Sequence, residues 1–269
     1  MASPLPQPMK LPPFSLLLAA LCLAFWPALH WFVAGTLDGS NDSAGLLAIA
    51  AAAASIALTP KRAALARPLL LPSACLAAYL AATACHVPVP ARSLVFALAL
   101  TTLASSLRLG KRFDMALFAL CILALPFAAT LQFYLGYPLR VIAGDLSVFL
   151  LRMNGIAVAR EGAMLAWHGQ LVAIDAPCSG VKMLWAGLLL AATLAGAVRL
   201  SSLRTAAALM LAIVAVVAAN AVRATALFYM EAGIVQLPAT AHGAIGIVSF
   251  AAAGAGILFM TRRLEPPAA

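Results

Sequence analysis

Apolar stretches of spanning or near-spanning length recur eight times along this chain, at about 14–35, 44–59, 68–86, 92–107, 113–134, 178–198, 204–229 and 239–260. A helix needs about 20 mostly apolar residues to cross the hydrocarbon of a bilayer, and there every backbone N–H and C=O must be paired internally. The pattern therefore predicts an all-α fold, a polytopic integral membrane helix bundle of about eight transmembrane helices. Composition agrees. Of 269 residues, 65% are hydrophobic and 9% charged, whereas a soluble domain carries about 25% charged residues. The second and fourth runs are short and read as less tilted or partly re-entrant. The stretch Phe14 to Ala34 shows no small-residue cleavage site and is followed by further runs, so it reads as a helix and not as a secretory signal.

Charge supplies an orientation. With the loops numbered alternately, one side receives Lys10, Lys61, Arg62, Arg67, Arg108, Lys111, Arg112, Arg199, Arg204, Arg262 and Arg263, eleven of the seventeen basic residues. The other side receives six of the eight acids, Asp38, Asp42, Asp145, Glu161, Asp175 and Glu231, with Arg92, Arg140, Arg152, Arg160, Lys182 and Arg223. The positive-inside rule then puts both termini in the cytoplasm. The net charge of +9 is spread in short clusters between apolar runs, a topological pattern and not a nucleic-acid footprint. One membrane domain fills 1–269: a five-span part (1–134), an external connection (135–177) and a three-span part (178–260). Within the connection, 139–155 has helical apolar spacing that suits a short interfacial helix, with Asp145 and Arg152 seven apart. The residues after it alternate around turn signals at Glu161-Gly162 and His168-Gly169, which predicts a hairpin or loop.

Five cysteines and four histidines form no CxxC and no metal-like spacing. Cys22, Cys75, Cys85 and Cys121 lie in apolar stretches, where cysteine is ordinarily a small buried hydrophobe. Cys178 differs. In Asp175-Ala-Pro-Cys178-Ser-Gly-Val-Lys182 it stands where the external loop enters the sixth run. At the first turn of a helix, free N–H groups and the helix dipole favour a thiolate, and Lys182 at i+4 adds positive charge. Such a thiol suits nucleophilic catalysis, although the same turn can equally hold an inert cysteine. Arg223 lies in the seventh run, 19 residues after Arg204 or about 28 Å along a helix. It is expected still within membrane depth, facing the bundle interior or a wet cavity, with Asn220 at i−3 on its face. His242 opens the eighth run and has the chemistry of a proton shuttle near neutral pH. Read together, Cys178, Arg223 and His242 fall at the external ends of three consecutive helices, the makings of a cysteine acyl-transfer site.

These motifs resemble the exosortase/archaeosortase family of multispanning membrane proteins. The resemblance rests on Ala176-Pro-Cys178-Ser179-Gly180 opening one helix, Asn220-x-x-Arg223 in the next and His242-Gly243 opening the last, over roughly residues 137–250. The upstream stretch PLRVIAGDLSVFLLRMNGIAVAREG is also similar to the family's segment before its cysteine. The resemblance implies a cysteine protease and transpeptidase that cleaves C-terminal sorting tails of exported proteins at the outer face of the cytoplasmic membrane. Such tails, as in PEP-CTERM proteins, combine a brief motif, a transmembrane helix and a basic end. By motif, Cys178 is the nucleophile, Arg223 the transition-state or substrate-positioning residue and His242 the proton shuttle, with Asn220, Ser179, Gly180 and Lys182 in support. The resemblance implies no metal and no organic cofactor. Where many members carry an aromatic-Ser-His-Gly element in the first external loop, this chain reads Leu37-Asp-Gly-Ser-Asn-Asp-Ser-Ala-Gly45. Two other readings compete: a transporter or channel, because intramembrane Arg and His also mark ion pathways, and a non-catalytic scaffold of a polysaccharide export system.

Overall fold

A computed structural model of the protein describes residues 12–37, 44–173, 179–238 and 240–265. It is nearly all-α. The helices are α1 (Phe14–Ala24), α2 (Trp26–Leu37), α3 (Gly45–Leu58), α4 (Leu70–Ala84), α5 (Val89–Ala104), α6 (Met115–Ala124), α7 (Ala128–Met153), α8 (Val181–Ala197), α9 (Ser202–Glu231) and α10 (Thr240–Arg263). Three short strands, β1 (Ala159–Glu161), β2 (Met164–Trp167) and β3 (Gln170–Ala173), lie between α7 and α8.

The expected count of about eight spans is not confirmed. Among the described residues four helices are long and apolar enough to cross a membrane: Val89–Leu109, where α5 runs on through a π-helical turn, and α7, α9 and α10. The pair α1 and α2, bent by 86° at Phe25, makes a fifth if counted as one span. Helices α3, α4, α6 and α8 are apolar but run only 10 to 17 residues, short of the roughly 20 that a crossing needs.

The fifth apolar run is the clearest departure. Its hydropathy predicts one helix over 113–134, but the chain is extended at Leu125, just before Pro126, and divides the run in two. Proline disfavours helical geometry in the residue before it. The first piece, α6, is opened by Asp114, whose carboxylate accepts from the Leu117 N–H at 3.1 Å. The second piece, α7, continues 26 residues straight through the expected boundary at 134/135 and absorbs the predicted interfacial helix. Pro138 inside it removes one donor but leaves the helix unbroken. The Ser147 hydroxyl helps anchor this helix by donating to the Ala221 carbonyl of α9 at 3.2 Å.

Two compact units form. The first comprises residues 1–34 and 59–113. Its core gathers Phe25 with Tyr79 and Phe96 at ring distances of 4.6 and 5.3 Å. Arg92 lies over the Tyr79 ring and donates to the Thr83 hydroxyl at 2.6 Å.

The second unit, 35–58 and 114–269, holds α6 to α10 and the sheet. Helices α8, α9 and α10 meet at Gly187, where an added Cβ would stand 2.5 Å from Val216 Cγ2 and 3.4 Å from Ile257 Cδ1. Small residues at such crossings let apolar helices approach closely in lipid. Trp185 Nε1 donates to the Leu123 carbonyl at 3.1 Å and ties α8 to the last turn of α6, a place where helix carbonyls lack partners of their own.

The predicted hairpin is a three-stranded antiparallel meander in the order β1-β2-β3. Both turn signals hold. Gly162 has φ +63°, and His168 and Gly169 have φ +50° and +77°, the positive pair that a two-residue type I′ turn requires. The Leu165 and Val172 pair faces Leu151, Val158, Leu227 and Phe228, so the sheet rests on the C-terminal ends of α7 and α9. Polar ties add to this: the Arg160 guanidinium of β1 pairs with Asp145 of α7, and Arg152 Nε donates to the Val158 carbonyl at 3.1 Å. Phe228, 1% exposed, is the centre of the seat, with Trp167 edge-on at 5.9 Å. Its loss to alanine should cost about 3–5 kcal/mol and release the sheet. Limited proteolysis of detergent-solubilised Phe228→Ala protein should then cut within 154–173 while the far-UV helical signal is kept. A digest like that of the wild type would mean other contacts hold the sheet.

Candidate active site

Helices α8, α9 and α10 run in alternating directions, so the start of α8, the last third of α9 and the start of α10 share one end. At the other end stand Arg199 after α8, Arg204 in α9, and Arg262 and Arg263 in α10. From Ser202 to Arg223 is 21 residues, about 32 Å of helix. The polar residues singled out by sequence therefore lie at one end of three packed helices.

The entry to α8 is built tightly. The helix begins at Val181, three residues beyond Cys178 in sequence, and its N-cap is Gly180 at φ +83°. An added Cβ on Gly180 would stand 2.8 Å from Nδ2 of Asn220, which is 3% exposed. Only glycine satisfies both the left-handed backbone and that contact. Ser179, also buried, has its hydroxyl 3.2 Å from Oε1 of Gln132 on α7 and 3.4 Å from the Val181 N–H. The two residues after Cys178 are thus held from both flanks, by α7 and by α9. Cys178 itself lies outside the described residues. Chain connectivity limits its Cα to within about 7 Å of that of Gly180.

Arg223 points the other way, towards α10. A Cβ on Gly246 would stand 3.5 Å from its Nε and 3.7 Å from its Cζ, so the guanidinium lies across a glycine of α10. Its Nε is buried and has no hydrogen-bond partner among the described residues. His242, half-buried, precedes Gly246 by four residues and shares its helix face. The structure therefore brings Asn220 to the Ser179-Gly180 entry, and Arg223 to the helix face that carries His242. Lys182 is exposed, on the second residue of α8.

Gln132 and Gly246 escaped the sequence reading. Gln132 is the one amide side chain in an otherwise apolar run, and that was an available signal, because a polar group in such a run needs a partner. Gly246 gave no comparable sign. A shallow recess lies beside the entry, lined by Leu139, Ala143, Ser179, Gly180, Val216 and Asn220.

The fold and this end of it define a helical membrane protein with a polar cluster where three consecutive helices meet. The family model described as transmembrane exosortase (Exosortase_EpsH) matches residues 36–259, most of the chain. This chain belongs to the transmembrane exosortase family. No curated protein and no solved structure gives a match.

Gly180→Ala should be destabilising through both backbone strain and the Asn220 contact. Left-handed backbone costs a residue with a Cβ about 1–2 kcal/mol. In Gly180→Ala/Asn220→Ala the steric part is relieved, so the double variant should melt at a higher temperature than the sum of the single effects predicts. Strictly additive melting shifts in detergent would show that the two side chains do not meet.

Proposed function

We propose that this protein is a membrane-embedded cysteine protease and transpeptidase that cleaves C-terminal sorting signals of exported proteins. The observation that carries the reading is the Arg223 guanidinium laid across Gly246 with a buried, unpartnered Nε. A buried guanidinium donor left open among the described residues suits a group whose negative charge appears only during reaction. Membership of the transmembrane exosortase family supports the same reading.

The Cys178 thiolate attacks the scissile carbonyl carbon and the C–O π pair moves onto oxygen. Arg223 stabilises that oxyanion or positions the substrate. His242 gives a proton to the leaving amine as the C–N bond breaks, and a thioester with Cys178 remains. An acceptor nucleophile then attacks the thioester and frees the thiol. Ser179, Gly180 and Asn220 fix the chain that carries Cys178. Lys182, exposed, contributes positive charge at long range. The substrates are exported proteins whose tail combines a short motif, a transmembrane helix and a basic end. The protein sits in the cytoplasmic membrane with both termini inside and the site facing the periplasm or exterior, as the distribution of Arg and Lys supports. No cofactor enters these steps.

In the native host, Cys178→Ala should leave a tail-bearing precursor full length by gel mobility and mass spectrometry, at unchanged enzyme level in the membrane. Arg223→Gln should slow processing on the order of 10²–10³-fold, the usual effect of removing an oxyanion donor. Unchanged processing by Cys178→Ala would overturn the reading and favour a transporter or a scaffold.

A further inference from the structure

The outer edge of β3 is unpaired among the described residues and precedes Cys178 by five residues in sequence, and we infer that it receives the substrate peptide as an added strand. The inference rests on the transpeptidase reading and names how that site holds its substrate.

The register decides which groups the edge offers. A two-residue turn at His168-Gly169 makes the flanking pair Trp167 and Gln170 a hydrogen-bonded pair, and such pairs alternate along an antiparallel ladder. Gln170 and Val172 therefore bond to β2. The N–H and C=O of Leu171 and Ala173 point away from it, and they have no partner among the described residues. Inside hydrocarbon such groups would be untenable, so their partner is water or another backbone.

The two edges of the sheet are treated differently. Strand β1 carries Arg160 and Glu161, and Arg160 is ion-paired to α7. Charge of this kind is how proteins ordinarily blunt an edge against pairing. Gln170-Leu-Val-Ala173 carries neither charge nor proline, and every residue but Val172 is exposed. Extended peptides are commonly recognised by strand addition, with main-chain bonds supplying affinity and alternate side chains filling pockets.

A recess lies beside the end of this strand. Val172 and Ala173 line it with Ala224, Leu227 and Phe228, and Ala224 is the residue after Arg223 on α9. From Ala173 the chain has five residues to reach Cys178, at most about 17 Å. A peptide paired with Leu171 and Ala173 would lie within that reach of the cysteine, with an apolar side chain beside the recess, whose lining also includes Leu165 and Glu231. The ligand class is an extended peptide segment with at least one apolar side chain near its scissile bond.

The test uses the full chain in its native membrane and an exported reporter that carries a motif–helix–basic tail. Leu171→Pro deletes only an outward donor and leaves the ladder to β2 intact, a position where edge strands tolerate proline. Processing should fall roughly tenfold in Leu171→Pro, and clearly less in Leu171→Ala, which keeps the N–H. A photo-cross-linking residue at 171 in the Cys178→Ala background should capture the tailed reporter and not a tail-less one. That readout needs no turnover, so it decides strand addition even if Cys178 proves dispensable for processing. Wild-type processing by Leu171→Pro, or cross-links only to lipid or to a second copy of this chain, would overturn the inference.

Discussion

A bilayer cannot hydrogen-bond to a peptide group, and nearly everything in this molecule stems from that. Helices settle the question within themselves, which is why apolar sequence here becomes helix almost without exception. Where helix fails, another partner appears. At Leu125-Pro126 the run breaks, and Trp185 of α8 supplies a donor to the Leu123 carbonyl at the frayed end. The three strands obey the same rule. Their inner groups pair with one another, and the outer groups of β3 have no backbone partner among the described residues.

The polar cluster depends on small residues. Gly187 lets α8, α9 and α10 close up, Gly180 lets the α8 entry sit against Asn220, and Gly246 leaves a flat place for the Arg223 guanidinium. Close helix contact in lipid rests on packing more than on solvent exclusion, so a missing Cβ is worth as much here as a large side chain is in a soluble core. The same absence admits charge. At Gly246 the guanidinium lies against helix backbone, with no side chain of that residue between them.

Hydropathy made the fold class and the three ordered motif segments legible, and periodicity made the meander legible, because turns at Glu161-Gly162 and His168-Gly169 announce themselves by residue type. Span number was not legible. The stretch from Asp114 to Met153 is apolar for most of its length, and the decisive signal was one proline whose effect depends on the packing around it. Pro126 divides a helix while Pro138, twelve residues on, does not. Local sequence cannot separate these cases, since a proline inside a helix survives when neighbouring elements hold the flanks. The partners within the site were legible only in part. Asn220 and Arg223 stand on one helix at i and i+3 and read as sharing a purpose, yet one meets the α8 entry and the other meets α10. Helical spacing gives a shared face, and only tertiary packing divides that face between two neighbours.

That division bears on the chemistry. A helix that touched only one neighbour would hold its cation and its amide against the same surface. Because α9 packs on both α8 and α10, Asn220 meets Gly180 at the α8 entry while Arg223 stays with the helix that carries His242. Each element then contributes one part: the α8 entry the buried Ser179-Gly180 pair, α9 the Arg223 cation and α10 the face that carries Gly246 and His242. Gln132 adds a fourth element, since its contact with Ser179 couples α7 to the same entry. The 26 residues of α7 end in the chain that forms the sheet, and the sheet returns to α8 through the residues before Ser179. Ser179 at the α8 entry and Arg160 in β1 are both tied to α7, one by a hydrogen bond to Gln132 and the other by the ion pair with Asp145. The Ser179-Gly180 entry to α8 is therefore fixed from α7 and from α9 together, with few conformations left to it.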